Sequence, residues 1–414
     1  MGGPWRLGEA GWADLRLPAW EIREVGTMAA REGEHGWVSF TSESVTEGQA
    51  DKLADQVSDA ILDAILAKDP LARVACECAI TKGLVLVTGQ ISTDCYVDIQ
   101  HIIRETIREA GYARAKYGFD AETCGVVVSI DEQSPDIAAG VNVGGAGDSG
   151  VVVGYACDQT PELMPLPIMI AHRLVRRLSQ LRRSRELSWL RPDGAAQVSV
   201  GYDAEGRPAT IDSVVVSAQH HEEVDLAQVR EEVEARVIRP VLSGGPDFED
   251  CAVYVNPTGR FVVGGPSADA GMTGRCPAID TYGGWARHGG GWLSGQDPTK
   301  VHRAGAYGAR HAAKNVVAAG LAASCEVQLA YAIGVSKPVS VRVDTFGSGR
   351  VADSELARAL LRTFDLSPLG IIREMTLRRP IYRAAACFGH FGRTDMTAPW
   401  EDVSRAAALR AELA

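Results

Sequence analysis

Apolar residues between Asp51 and Lys68 recur at positions 53, 57, 61, 62, 65 and 66. This spacing puts them on one face of an α-helix, so the segment is predicted to be helical. The next two runs, residues 74–80 and 84–91, are rich in Val and Ile and are separated by Thr-Lys-Gly. Short runs of this kind around a turn predict two neighbouring strands.

The same alternation of strands and helices continues along the chain. Strands joined by short turns usually pair antiparallel, so the pattern predicts an α+β fold in three rounds rather than a doubly wound parallel sheet. The predicted strands are residues 125–130, 196–202, 211–219, 251–255, 260–264, 325–333 and 338–344, and the further predicted helices are 97–110, 223–238, 306–319 and 353–363.

The charge balance narrows the class of protein. The 414-residue chain has a net charge of -11, which argues against a nucleic-acid binder because phosphate neutralisation needs a basic surface. One basic run, residues 173–185, has a helical pattern and no interleaved aromatic residues. It is predicted to be a solvated helix face.

The cysteines and the apolar runs indicate in which cellular compartment the protein is expected. Nine cysteines are scattered without a C-x-x-C pair, as expected for reduced thiols in a cytoplasmic protein. No apolar run approaches the about 18 residues of a membrane-spanning helix, so no membrane partner is expected. Residues 1–27 lack the apolar core of a secretory signal, and residues 1–36 are predicted to form a loosely structured N-terminal extension.

Long motifs cover most of the chain after that extension. They are SESVTEGQADK at 42–52, DQTPELMPLPIMIAHRL at 158–174, LRPDG at 190–194, NPTGRFVVGGPSADAGMTGR at 256–275 and DTYGGWARHGGG at 280–291. Together they resemble the S-adenosylmethionine synthetase (methionine adenosyltransferase) family. The resemblance implies three similar α+β domains with pseudo-threefold symmetry, at about 37–145, 146–270 and 271–414 and partly interleaved. It also implies a homo-oligomer, dimer or tetramer, with active sites between subunits.

Members of that family transfer the adenosyl group of ATP to methionine, expel triphosphate and hydrolyse it. The resemblance implies a nucleoside platform made of Asp193 near the ribose and of Arg260 and Phe261 at the adenine, where an aromatic face can stack on the base. It places three further residues around the methionine portion: Gln133, Asp269 and Lys300. Gln90 stands there in place of the family's Glu.

The phosphate-binding half departs from the family pattern. We call the positions involved the cradle: Gln49 replaces a His, while Ala195, Cys276 and Gln296 replace lysines, and Arg275 is retained. His302 replaces an aspartate of the magnesium site, and Trp292 replaces a small residue against the nucleotide. Asp51 is retained as a magnesium ligand and Glu77 as the residue associated with potassium, and Asp148 is kept in GAGDSG.

Loss of positive charge beside a retained platform suggests a changed reaction. The hypothesis is an enzyme that binds S-adenosylmethionine, an adenosyl sulfonium, as its substrate and cleaves or transfers at a C–S bond, releasing methylthioadenosine. Its candidate catalytic residues are Lys300, Asp148, Asp269 and His302. Two alternatives stay open: a working methionine adenosyltransferase that uses Mg²⁺ and K⁺, and a non-catalytic S-adenosylmethionine-binding partner.

Several of these residues also have simpler interpretations. Cys276 is either a nucleophile or, with more support, a small thiol filling the space of a lysine. His302 is either a general base or a histidine at a helix start, and Trp292 either faces a sulfonium or packs in the core. His220 and His221 are interpreted as a polar loop that enters a helix.

Overall fold

The computed structural model describes residues 38–114, 118–133 and 144–413. The predicted N-terminal extension, residues 1–36, lies outside them. Eleven strands are described: β1 Val38–Val45, β2 Arg73–Thr81, β3 Leu84–Ser92, β4 Gly125–Asp131, β5 Gly150–Cys157, β6 Leu190–Tyr202, β7 Pro208–His220, β8 Ala252–Val255, β9 Gly271–Met272, β10 Ser324–Tyr331 and β11 Ser340–Asp344.

Ten α-helices are described beside them. They are α1 Ala50–Leu66, α2 Ile99–Ala110, α3 Leu166–Arg183, α4 Leu226–Val233, α5 Arg239–Leu242, α6 Pro277–Asp280, α7 Val301–Ala318, α8 Asp353–Thr363, α9 Pro368–Glu374 and α10 Ala406–Glu412. A π-helical turn, Glu234–Ile238, joins α4 to α5, so the helix predicted over 223–238 is present but not regular. None of the described helices is long and apolar enough to cross a membrane.

The strands form three separate sheets, and the predicted α+β class is confirmed. The sheet orders are β1-β6-β7-β8, β11-β10-β5 and β4-β3-β2-β9. Most neighbours are antiparallel, as the short turns predicted, but β3 pairs parallel with β4 and β7 pairs parallel with β8. Each parallel pair is joined by a crossover that contains a helix, which is what that geometry requires.

The central helix α1 shows why these elements pack as they do. Leu53 in its first turn is fully buried, and so is Ile61 two turns later. Gln49 caps the helix, because its side-chain oxygen accepts a hydrogen bond from the backbone N–H of Lys52. Burial of nearly every side chain of α1 makes this helix the centre of the molecule and places its N-terminus at the candidate site.

One predicted strand is absent. Residues 260–264 have no strand geometry, although the backbone N–H of His220 donates to the carbonyl of Phe261 at 2.9 Å. Gly264 packs against Asp193, Gln219 and Phe261, and an added Cβ would come within 2.9 Å of all three side chains. Side chains, rather than a ladder of backbone bonds, therefore hold this segment.

The interpretation of the basic run as a solvated helix face holds only in part. It lies on α3, as the helical pattern indicated, but part of its charge faces protein rather than solvent. Arg182 and Arg183 both pair with the buried carboxylate of Glu47, and Arg182 is 14% exposed. These arginines join α3 to the end of the SESVTEG motif.

Candidate functional site

The nucleoside platform is assembled at the ends of β6 and β7. Asp193 lies on β6, and its Oδ2 accepts the backbone N–H of Gly265 at 2.7 Å. Phe261 is half-buried and Arg260 is exposed, with its guanidinium 3.5 Å from the carbonyl of Glu222. The structure therefore places Asp193 beside the segment that carries Arg260 and Phe261, the other two predicted platform residues.

Burial raises the pKa of Asp193 to about 6. The hydrogen bonds from the backbone of Gly265 and Gly194 act in the opposite direction and offset part of that cost. A carboxylate with one oxygen bound to Gly265 keeps its remaining acceptor capacity for hydroxyl donors such as those of a ribose.

A second group of residues surrounds the N-terminus of α1. Asp51 is 8% exposed; its Oδ1 accepts from the backbone N–H of Met272 at 2.9 Å, and its Oδ2 accepts from the amide of Gln49 at 3.1 Å. Arg275 lies 3.4 Å from the same carboxylate and is 55% exposed. Gln49, Asp51 and Arg275 are thus brought together as predicted, and the guanidinium is the group of this cluster that reaches solvent.

Cys276 completes this cluster as a packing residue. Its sulfur lies 3.6 Å from Oδ2 of Asp51, and burial raises the pKa of the thiol to about 12. The nucleophile hypothesis has no support in this geometry, because a thiol so hard to ionise is a poor nucleophile near neutral pH. The interpretation as a small thiol that fills space agrees with it.

Beneath the cluster lies a buried lysine. Lys52 is fully buried and forms ion pairs with Asp280 and, at 2.6 Å, with Asp55. Burial raises the pKa of Asp55 to about 7, although Lys52 lowers it. Oδ1 of Asp55 also accepts the backbone N–H of Gly274 at 2.8 Å, so the triad supports the turn that carries Arg275 and Cys276.

A third group lies at the start of α7. His302 places Nε2 3.5 Å from Oδ2 of Asp148, and its ring packs between Gly150 and Gly291, neither of which could carry a side chain. Nδ1 of His302 is buried and has no hydrogen-bond partner among the described residues. Trp292 packs against Gly274 and lines a cavity together with His302. Asp148, Trp292 and His302 are therefore neighbours.

The remaining predicted residues are more dispersed. Lys300 precedes α7, and Asp269 is exposed, accepting a hydrogen bond from the backbone of the next residue. Gln296 is 4% exposed and its backbone pairs with Ala75, while Ala195 lies on β6 opposite Val45 and Ser217. The neighbouring Arg303 donates to the carbonyl of Gln296 and forms a fully buried ion pair with Asp59 at 2.6 Å.

Gln90 and Glu77 do not join these groups within one chain. Both belong to the outer face of the β4-β3-β2-β9 sheet, where Gln90 is exposed opposite Ala75 and Glu77 lies opposite Thr88. Gln133, 8% exposed, follows β4 and donates its backbone N–H to Ser92. This part of the predicted methionine pocket therefore opens on a sheet surface.

The donor set for metals is sparse. In the described ranges no three His, Cys, Asp or Glu side chains converge as a metal centre. Mg²⁺ commonly takes only one or two protein carboxylates and completes its shell with phosphate oxygens and water. Asp51 fits that use, because its carboxylate lies at the edge of the site beside Arg275. Asp51 for Mg²⁺ and Glu77 for K⁺ remain predictions.

Four side chains that support the site were not recognised from sequence: Lys52, Tyr112, Gln219 and His220. His220 was interpreted as part of a polar loop, but it ends β7 and is 1% exposed. Tyr112 donates its hydroxyl to the carbonyl of Gly48 at 2.5 Å and lies against Gly265, which links the start of α1 to the platform. Lys52 could have been noticed because it ends the first motif. Nothing in the local pattern indicated the partners of Gln219 and His220.

The three sheets and the helices packed on them fit three α+β domains, and the predicted platform residues and the group of Gln49, Asp51 and Arg275 lie among them. Family models match residues 37–135, 143–261 and 263–402, as the N-terminal, central and C-terminal domains of S-adenosylmethionine synthetase. The chain belongs to the S-adenosylmethionine synthetase family. It is 58% identical over 386 residues to the S-adenosylmethionine synthase of Desulforudis audaxviator (strain MP104C). The aligned residues cover 90% of this chain and 98% of that relative.

This similarity overturns the hypothesis of a C–S lyase or alkyl transferase. An almost full-length relative at that identity is named for synthesis of S-adenosylmethionine, not for its cleavage.

Proposed function

We propose that this protein is a working methionine adenosyltransferase that forms S-adenosylmethionine from ATP and methionine. Its near full-length similarity to a synthase at 58% identity carries the proposal. The methionine sulfur attacks C5′ of ATP, a C–S bond forms, and the electrons of the broken C–O bond leave with the triphosphate. Water then splits the triphosphate into pyrophosphate and phosphate.

Each region has a distinct part in this proposal. Asp193, Arg260 and Phe261 bind the adenosine, so that C5′ is presented in one orientation. Arg275, exposed beside Asp51, supplies positive charge toward the leaving triphosphate, and Lys300 remains assigned to the methionine portion. Asp51 would hold Mg²⁺ together with phosphate oxygens, and the bound ion would supply positive charge that offsets part of the negative charge on the leaving group.

We further propose that the active site is completed in a homo-oligomer. Gln90 and Glu77 lie on an outer sheet face that also exposes Leu84, Val127 and Met272, at 40%, 49% and 49%. Exposed apolar residues on one sheet face are typical of an association surface. A second subunit on that face would bring its own residues to the methionine pocket. A cytoplasmic location remains the expectation from composition.

The test supplies purified protein with ATP, methionine, Mg²⁺ and K⁺ and follows S-adenosylmethionine by mass spectrometry and phosphate release in parallel. Enzyme-dependent formation of both supports the proposal, and omission of methionine should abolish S-adenosylmethionine formation. Tight binding of S-adenosylmethionine with no turnover would instead favour the non-catalytic partner. The Asp193→Ala variant should lose product formation. The His101→Ala variant, altered at an exposed residue, is the control and should keep it.

A further inference from the structure

The segment that carries the platform is tied to the last residues of β7 by side chains. We call residues 256–265 the platform segment. At its start Asn256, 1% exposed, accepts the backbone N–H of Ala218 at 2.7 Å and donates to the carbonyl of the same residue at 3.0 Å. The next two residues of β7, Gln219 and His220, continue this contact.

His220 makes two side-chain bonds that define its state. It is 1% exposed; Nε2 accepts the backbone N–H of Phe261 at 3.1 Å, and Nδ1 donates to the carbonyl of His221 at 2.9 Å. Because a carbonyl can only accept, the proton lies on Nδ1 and the lone pair of Nε2 faces Phe261. The backbone N–H of His220 donates to the carbonyl of Phe261 as well, so both polar backbone groups of Phe261 are bound by one residue.

Gln219 binds both sides of the platform. It is 2% exposed; its amide nitrogen donates to the carbonyl of Val262 at 2.9 Å, and its oxygen accepts the backbone N–H of Asp193 at 3.1 Å. One side chain thus joins the ribose side, Asp193, to the adenine side, Val262. Asp193 in turn accepts the backbone N–H of Gly265, the last residue of the platform segment.

We propose that Gln219 and His220 are positioning residues that set the affinity of the site for the nucleoside half of its substrate. The inference rests on the proposed function, since it takes ATP as the ligand. The platform segment has no strand ladder of its own, so the orientation of Phe261 depends on these buried bonds. A buried N–H deprived of its acceptor finds a new one only if the segment shifts, and a shift of Phe261 disturbs stacking on the base.

The chain allows variants that separate the two bonds of His220. His220→Gln places an amide oxygen near the position of Nε2 and keeps an acceptor for Phe261. His220→Asn reaches only as far as Nδ1 and loses that acceptor, and His220→Ala loses both. His311, 4% exposed on α7, is a buried histidine outside the site, so His311→Gln controls for the general cost of altering a buried imidazole.

Isothermal titration calorimetry with ATP, adenosine and inorganic triphosphate tests the proposal on the full chain. His220→Ala and His220→Asn should weaken ATP and adenosine about tenfold, or about 1.4 kcal/mol, and leave triphosphate within about twofold. His220→Gln should restore most of the loss. The KM for ATP should rise with kcat little changed, and Gln219→Met should act in the same direction.

The opposite results are equally clear. Equal weakening of all three ligands, or recovery by His220→Asn as complete as by His220→Gln, would mean a general structural role and overturn the proposal. So would an unchanged affinity for adenosine in a folded His220→Ala variant, with folding judged against His311→Gln by thermal unfolding. Wild-type protein that binds ATP yet forms no S-adenosylmethionine would refute the proposed function alone. Wild-type protein that binds neither ATP nor adenosine would refute both.

Discussion

The nucleoside platform and the cradle are built by different physical means. In the platform, buried neutral side chains such as Gln219 and His220 bind the backbone of a segment without regular structure. In the cradle, the charges form ion pairs beneath the surface, of which Lys52 with Asp55 and Arg303 with Asp59 are fully buried. The conformation of the platform segment therefore depends on hydrogen bonds from neutral side chains, whereas the cradle is supported by buried pairs of opposite charge.

This difference predicts that substitutions have different consequences in the two regions. We call the buried ion pairs Lys52–Asp55 and Arg303–Asp59 the floor of the cradle. A cradle position such as Cys276 can change its side chain, because its own side chain takes no part in these pairs. A platform position is bound to the backbone of its neighbours, so its identity and its geometry are linked. The comparison leads to four predictions, from the largest expected effect to the smallest.

The floor of the cradle should be the least tolerant of single changes. Asp59→Ala leaves the guanidinium of Arg303 buried without its carboxylate, and we expect a loss of about 3–5 kcal/mol in the free energy of unfolding. Urea denaturation of the wild type and the variant measures it. The double variant Asp59→Leu with Arg303→Met should lose much less. A single variant as stable as the wild type would show that the floor does not depend on charge pairing.

The carboxylate of Asp193 should lower the free energy of unfolding near neutral pH, although we expect it to bind the ribose. The pKa of Asp193 is raised to about 6 in the folded protein, above its unfolded value near 4. The folded state therefore binds more protons between these values, and the contribution of this group to stability falls as pH rises through about 4 to 6.

Asp193→Asn should consequently be more stable than the wild type at pH 7, by about 2 kcal/mol, with the difference shrinking below pH 5. The Asn side chain keeps an acceptor for the N–H of Gly265 but loses the charge. Thermal unfolding across pH measures the change, and the affinity for ATP should fall in the same variant. A variant that is less stable at every pH would contradict the expected sign.

The aromatic face of the platform should affect one substrate only. Replacing Phe261 by Ala removes stacking on the base, worth about 1–3 kcal/mol, so the KM for ATP should rise about tenfold or more while the KM for methionine stays the same. Phe261→Tyr keeps the ring and serves as the matched control. A parallel rise in both KM values would place Phe261 between the two substrates rather than at the adenine.

Sequence periodicity predicted α1 and the hairpin of β2 and β3 well, because their signals are local. It placed a strand at 260–264 because Val-rich residues near Gly resemble one. The actual partners of this segment, Gln219 and His220, lie 43 and 41 residues away from their acceptor and donor in sequence.

The candidate site was predicted in the same uneven way. The motifs identified its members, including Asp51 and Arg275, which the structure brings together. The burial of Lys52 against Asp280, 228 residues away, could not be read from them, because a pairing at that separation depends on how α1 packs against α6.

Cys276 gives the smallest and most discriminating test of the comparison. Because burial raises the pKa of its thiol to about 12, Cys276→Ala should leave the rate of S-adenosylmethionine formation within about twofold of the wild type. Cys276→Lys should strengthen inhibition by inorganic triphosphate several-fold, since it adds a cation beside Asp51 and Arg275. Triphosphate inhibition constants for both variants measure the effect. If Cys276→Ala abolished activity, the thiol would have a chemical role; if Cys276→Lys changed nothing, the cradle would not contact the triphosphate.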